Sequence, residues 1–186
     1  MPDIELMAKL SAAAPLGMSL YRPLEAEAGM LRVKLFHLGA PVTMSDGLPM
    51  LERMGLRVID ERPHRVSPPG EPPVWVHDFG VQTAPADADV DVHRLHAVFE
   101  DAFGRIFRGE VENDDFNRLV VAARIPATEI VILRAYAKYM RQIGFPLSQA
   151  FVQSTLAAHP GIARMLIELF ELRFDPCGSG QRTVRG

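Results

Sequence analysis

Two rhythms run along this chain. Over residues 31–38 apolar and charged residues alternate, with Leu31, Val33 and Leu35 on one side and Arg32 and Lys34 on the other, which predicts a strand with one buried face. Gly39 and Pro41 break it. Residues 57–66 and 74–82 predict two more strands, joined by a Pro-, Gly- and Ser-rich stretch at 67–73 that reads as a turn. In the last of them Trp75, Phe79 and Val81 share one side and Val74 and Val76 the other, so this strand is expected to be covered on both faces. Residues 18–22 predict a short strand stopped by Pro23.

Spacings of three and four take over elsewhere. Residues 4–13 predict a helix capped by Asp3 and ended by Pro15 and Gly17. Ser45 or Asp46 is the expected cap of a helix running to Met54, with Leu48, Leu51 and Met54 inward and Gly55 at its C′ position. After a polar linker at 83–89, Val92, Leu95, Phe99, Ala102, Phe103 and Ile106 mark a long helix that Gly109 ends. Asn113 or Asp114 caps the next. Residues 116–142 read as two helices parted by Pro126, which fits the first turn of the second. That second helix presents Ile130, Leu133, Ala137, Met140 and Ile143 as its apolar face, leaving Arg134, Lys138 and Arg141 off it. Ser148 begins a helix with Phe151, Val152, Thr155 and Leu156. Pro160 begins the last, with Ile162, Met165, Leu166, Leu169 and Phe170 expected inward.

The fold class that follows is α+β: a ferredoxin-like antiparallel sheet with helices on one face, followed by an all-α helical bundle. The fourth strand of such a sheet is missing after the long helix, and the strand at 18–22 is the candidate to supply it from the N-terminal side. The expected division is an N-terminal helix (1–14), the α+β domain (15–110), a helical domain (111–176) and a disordered tail (177–186).

Composition narrows the function classes. Of 186 residues 48% are hydrophobic and 23% charged, enough for a sizeable core. A net charge of -3 argues against a nucleic-acid partner. The one cysteine, Cys177, excludes an internal disulfide and suits a reducing, cytoplasmic setting. No stretch reaches the roughly 20 apolar residues of a membrane span, so no membrane partner is expected.

No set of side chains converges into an active site. Gly178-Ser179-Gly180 lacks the strand, helix and third glycine of a dinucleotide loop. Asp78-Phe79-Gly80 matches three letters of a kinase metal motif without its companions. His93 and His96 could share a metal, but a zinc site needs three or four ligands; they are read as surface residues, with His37, His64, His77 and His159. Asp60 and Glu61 are neighbours on a strand and point to opposite faces, so with Arg62 and Arg65 they make a solvated edge. Ser45 and Ser148 are accounted for as caps, and Thr128 lies near a helix start. Tyr136 and Tyr139, beside Arg134 and Lys138, suit either a docking surface or ordinary packing. Catalytic, cofactor-binding and metal-binding residues are therefore all expected to be absent.

Several stretches carry a resemblance in their order: Leu20-Tyr21-Arg22-Pro23; Leu31 through Gly39; Met54-Gly55-Leu56-Arg57 on through Pro63; Val76-His77-Asp78-Phe79-Gly80; Phe103 through Glu110; Asn117-Arg118-Leu119-Val120; Leu133 through Tyr139; and Phe174-Asp175-Pro176. Together they resemble the large bacterial NAD-specific glutamate dehydrogenases, in the long N-terminal part that precedes the catalytic domain. The resemblance implies an ACT-like module followed by a helical motif. It implies a parent enzyme that converts L-glutamate, water and NAD to 2-oxoglutarate, ammonium and NADH, with NAD held elsewhere. It further implies the catalytic and other N-terminal domains of the same polypeptide as partners, a homo-oligomer, and an amino acid as the candidate effector. The role expected of the segment is assembly, with allosteric tuning second; the alternative is a free-standing ACT-like amino-acid sensor.

Overall fold

The computed structural model describes residues 3–85 and 91–174. Among these the elements run α1 (Asp3–Ala8), β1 (Leu16–Tyr21), β2 (Met30–Leu38), α2 (Met44–Arg53), β3 (Arg57–Val66), β4 (Val74–Gln82) and α3 (Val92–Phe107). A 3-10 turn (Asp115–Arg118) then leads into α4 (Leu119–Ala123), α5 (Ala127–Gln142), α6 (Gln149–Ala158) and α7 (Pro160–Phe174).

The strands form one sheet in the order β1-β2-β4-β3, every neighbouring pair antiparallel. β2 and β3 are therefore parallel to each other with β4 between them, the split β–α–β unit of a ferredoxin-like fold. β1 lies along the outer side of β2, with Met18 opposite Leu35 and Leu20 opposite Val33. The fourth strand is thus delivered from the N-terminal side, and α3 is free to lead into the helical half.

The predicted alternation sets the core. Leu31, Val33, Leu35, Phe79 and Val81 are all buried on one face under α2 and α3, where Leu51, Leu95, Phe99 and Phe103 meet them. The opposite face is partly covered: Phe36, Val74 and Val76 pack with Leu6, Met7 and Leu10 from α1 and its exit. The helix α2 closes with Gly55 at φ +88°, its amide bonded to the Glu52 carbonyl and that of Leu56 to the Leu51 carbonyl. This is the double hydrogen bond of a left-handed C-cap, which favours glycine. From the sheet the apolar core continues without a break through Ile106, Phe116, Leu119 and Ile130 to Ala163 and Ile167.

Local expectations differ from the structure at several points. The N-terminal helix ends at Ala8, five residues short of 13, and a turn closed between Ser11 and Ala14 follows. Asp3 lies within that helix and pairs with Lys34 at 2.6 Å. The residue before α2 is Thr43; its hydroxyl donates to Asp46 at 2.5 Å and accepts from no backbone amide, and Ser45 and Asp46 both lie inside the helix. Pro126 sits at the N-cap of α5 with ψ 145°, one place before the first turn. Arg134 is buried, because three groups upstream converge on it. Ile143 at the end of α5 is exposed, and the α7 stripe that includes Ile162, Met165 and Leu169 faces outward, because Ala163 and Ile167 take the inner side. The tail 177–186, Cys177 and the Gly178-Ser179-Gly180 triplet fall outside the described residues, as does most of the 83–89 linker.

Candidate functional site

The Asp78-Phe79-Gly80 triplet lies within β4 and is used up by the sheet. Asp78 accepts from Arg32 Nε at 2.7 Å across the strand pair, Phe79 is in the core, and Gly80 makes room for Asp60. A Cβ at Gly80 would stand 2.4 Å from Asp60 Oδ2, whose other oxygen accepts from Arg32 Nη2 at 3.1 Å. Gly80→Ala is therefore expected to turn the exposed Asp60 carboxylate away from Arg32 and to cost no more than about 1 kcal/mol, the worth of a surface ion pair. In an Asp60→Ala background the same change should cost nothing further, as chemical denaturation of the single and double variants will show.

Asp60 and Glu61 do point apart. Asp60 joins Arg32 and Arg62, while Glu61 turns to the core face and bonds His77 Nδ1 at 2.6 Å. His77 is 5% exposed, not a surface residue, and its ring stacks on Phe79. The other histidines do not gather. His37 Nδ1 meets the Ala40 carbonyl at 2.8 Å, and His96 Nε2 lies 3.0 Å from Glu100 Oε1. His93 and His96 find no third ligand: among the described residues no group of three His, Cys, Asp or Glu is placed to hold a metal ion. Ser148 caps α6 as expected, accepting from the Phe151 amide at 3.2 Å.

Glu100 on α3 is the most perturbed carboxyl on the sheet side. Burial pushes it up from 4.5 to about 7, against a Leu20 backbone hydrogen bond that pulls it down. Burial also lowers His96 below its usual value. Because folding raises the carboxyl's pKa, the protonated form is the one the fold favours. Glu100 therefore subtracts stability progressively as pH rises from about 4.5 to about 7. Glu100→Gln is expected to abolish this slope and to exceed the parent above the window by up to about 3 kcal/mol; urea titrations at the two ends of that window will measure it.

The strongest polar cluster outside the sheet was not legible beforehand. Arg134 of α5, 4% exposed, donates to both carboxylate oxygens of Asp114 at 3.0–3.1 Å, to the Glu112 carbonyl at 3.2 Å and to Asn117 Oδ1. Asp114 also caps the 3-10 turn through the Phe116 amide at 3.1 Å, as one of the two expected caps. Arg53 of α2 donates to the Asn113 carbonyl. These contacts clamp residues 112–118 between the sheet module and the arm.

Two concavities stand out among the described residues. A cleft of about 990 Å³ opens where module meets arm, with Glu52, Arg57, Arg118 and Ser154 in its wall; Arg118 is held 3.8 Å from Asp115. A trough of about 890 Å³ lies between α5, α6 and α7 and is almost wholly apolar; Tyr136 and Tyr139 stand on its wall.

The architecture is that of an ACT module carried on a helical arm. A family model described as glutamate dehydrogenase, ACT3 domain, matches residues 15–95, and one described as glutamate dehydrogenase, helical motif 3, matches residues 111–176. The chain belongs to the NAD-specific glutamate dehydrogenase family. It is 45% identical over 174 residues to the NAD-specific glutamate dehydrogenase of Halomonas elongata, covering 94% of this chain and 11% of that protein. The enzyme of the same name from Pseudomonas aeruginosa is 42% identical over 172 residues (92% and 11%), and that from Mycobacterium tuberculosis 40% over 167 (86% and 10%). The chain thus spans about a tenth of the length of these curated relatives. No helix among the described residues is long and apolar enough to cross a membrane.

Proposed function

We propose that this chain is a non-catalytic segment of the N-terminal region of an NAD-specific glutamate dehydrogenase, and that it serves assembly by holding other parts of the polypeptide at a fixed distance and angle. In this reading residues 15–110 form the ACT-like domain, with an N-terminal segment carrying α1 before it, and residues 111–176 form the helical domain. Oxidation of L-glutamate with water and NAD, yielding 2-oxoglutarate, ammonium and NADH, falls to the catalytic domain, and NAD binds there. The partners are that domain, the other N-terminal domains and further copies in a cytoplasmic homo-oligomer. An amino acid is the candidate effector, in a role secondary to assembly.

The observation that supports the reading is the unbroken apolar core from Met18 on β1 to Ile167 on α7. Close-packed interiors deform little and transmit displacement, so a module and arm sharing one core act as a rigid spacer. The test has two parts. The chain assayed alone should reduce no NAD in the presence of glutamate, and measurable turnover would refute the reading. Thermal unfolding against a panel of amino acids should give an unchanged Tm; a concentration-dependent rise with one of them would move the assignment to sensing.

A further inference from the structure

Helix α7 is apolar on two sides, with Arg164, Glu168 and Glu171 forming a charged strip between them. Ala163 and Ile167 are buried against the arm, yet Met165, Leu169 and Leu172 are 60%, 61% and 81% exposed. A helix apolar on two sides is suited to an apolar neighbour on each, and here only one is supplied. Next to it, Leu133 and Tyr136 of α5 and Phe151 of α6 complete the trough of about 890 Å³. Its lining holds one charged side chain, Arg173, whose guanidinium lies 5.9 Å over the Phe174 ring and which no carboxylate pairs among the described residues.

We propose that this trough seats an amphipathic helix from another part of the same long polypeptide, with an aspartate or glutamate of that helix set against Arg173. The inference rests on the reading of the chain as a segment of a larger enzyme. An apolar groove between helices is the geometry into which a helix lays an i, i+3, i+4, i+7 stripe. The relatives are about nine times longer than the stretch they share with this chain, so most of the covalently attached polypeptide is available at high effective concentration. A second copy of this chain fits less well. A two-fold contact through the trough would set hollow against hollow, and the lining, which has no carboxylate, would offer Arg173 no partner. Residues 175–186 offer little beyond Cys177 and Val184 to fill it, and bring Arg182 and Arg185 toward the same cation.

The experiment is photocrosslinking in the full-length polypeptide that carries this segment, with a benzophenone side chain at position 169, in a mixture of isotope-labelled and unlabelled copies. The expected product joins position 169 to a helical stretch of the same copy outside residues 1–186, one bearing an apolar stripe and an acidic residue. Arg173→Glu should lower the yield about tenfold, and reversing the charge of that acid should restore it. A crosslink between labelled and unlabelled copies, a crosslink to residues 175–186, or no crosslink in a protein that remains folded and active would overturn the proposal. Failure of the underlying reading would look different: glutamate-dependent NAD reduction by the chain alone, or a natural reading frame that stops near residue 186.

Discussion

Arg134→Ala is expected to remove about 3–5 kcal/mol of unfolding free energy, the range for deleting one partner of a buried ion pair. Asp114, which is 17% exposed, would keep its capping bond to the Phe116 amide but lose both guanidinium contacts. The buried Asn117 would lose the donor to its side-chain oxygen. Lysine should rescue little, since a single ammonium cannot span carboxylate, carbonyl and amide as the guanidinium fork does. Arg141→Ala, at an exposed position on the same helix, should change stability by no more than about 0.5 kcal/mol. Urea midpoints of the three variants, compared at constant m, will decide the matter.

Phe116→Ala is expected to cost about 3–5 kcal/mol as well, through the cavity left by a fully buried ring. Its second consequence is more informative. The 3-10 turn that carries Phe116 packs on α2 of the module and on α5 and α6 of the arm. The parent should unfold in one transition whether followed by far-ultraviolet dichroism, to which the arm contributes strongly, or by fluorescence of Trp75, the lone tryptophan, on β4. In Phe116→Ala the dichroism should fall first and the fluorescence later, the mark of lost two-state behaviour. Coincident transitions in the variant would contradict the assignment of this ring to the joint.

The sheet was largely legible from the sequence, since Leu31, Val33 and Leu35 alternate with charges and a period of two has one solution once a face is apolar. The ends of α2 and α3 were legible because Gly55 and Gly109 both take positive φ at helix ends. Arg134 was not. Periodicity places an arginine by its helical angle and assumes water around it, whereas its partners lie 17 to 22 residues earlier in a segment without periodicity. The orientation of α7 was missed for the opposite reason. Ile162, Met165 and Leu169 form as good a stripe as Ala163 and Ile167, and a helix apolar on two sides does not say which side the rest of the chain will cover. The signal was present in that doubleness, and it marks the trough.

The position of β1 at the start of the sheet bears on how the molecule is made. In an arrangement whose outer strand followed α3, the sheet would stay open on the ribosome until that late strand emerged. Here every strand has been synthesised by Gln82 and the covering helix by Phe107. Chains emerge N-terminus first and their domains tend to fold as units. The platform can therefore close before any of the arm leaves the exit tunnel, and α4 to α7 then condense onto a surface already set.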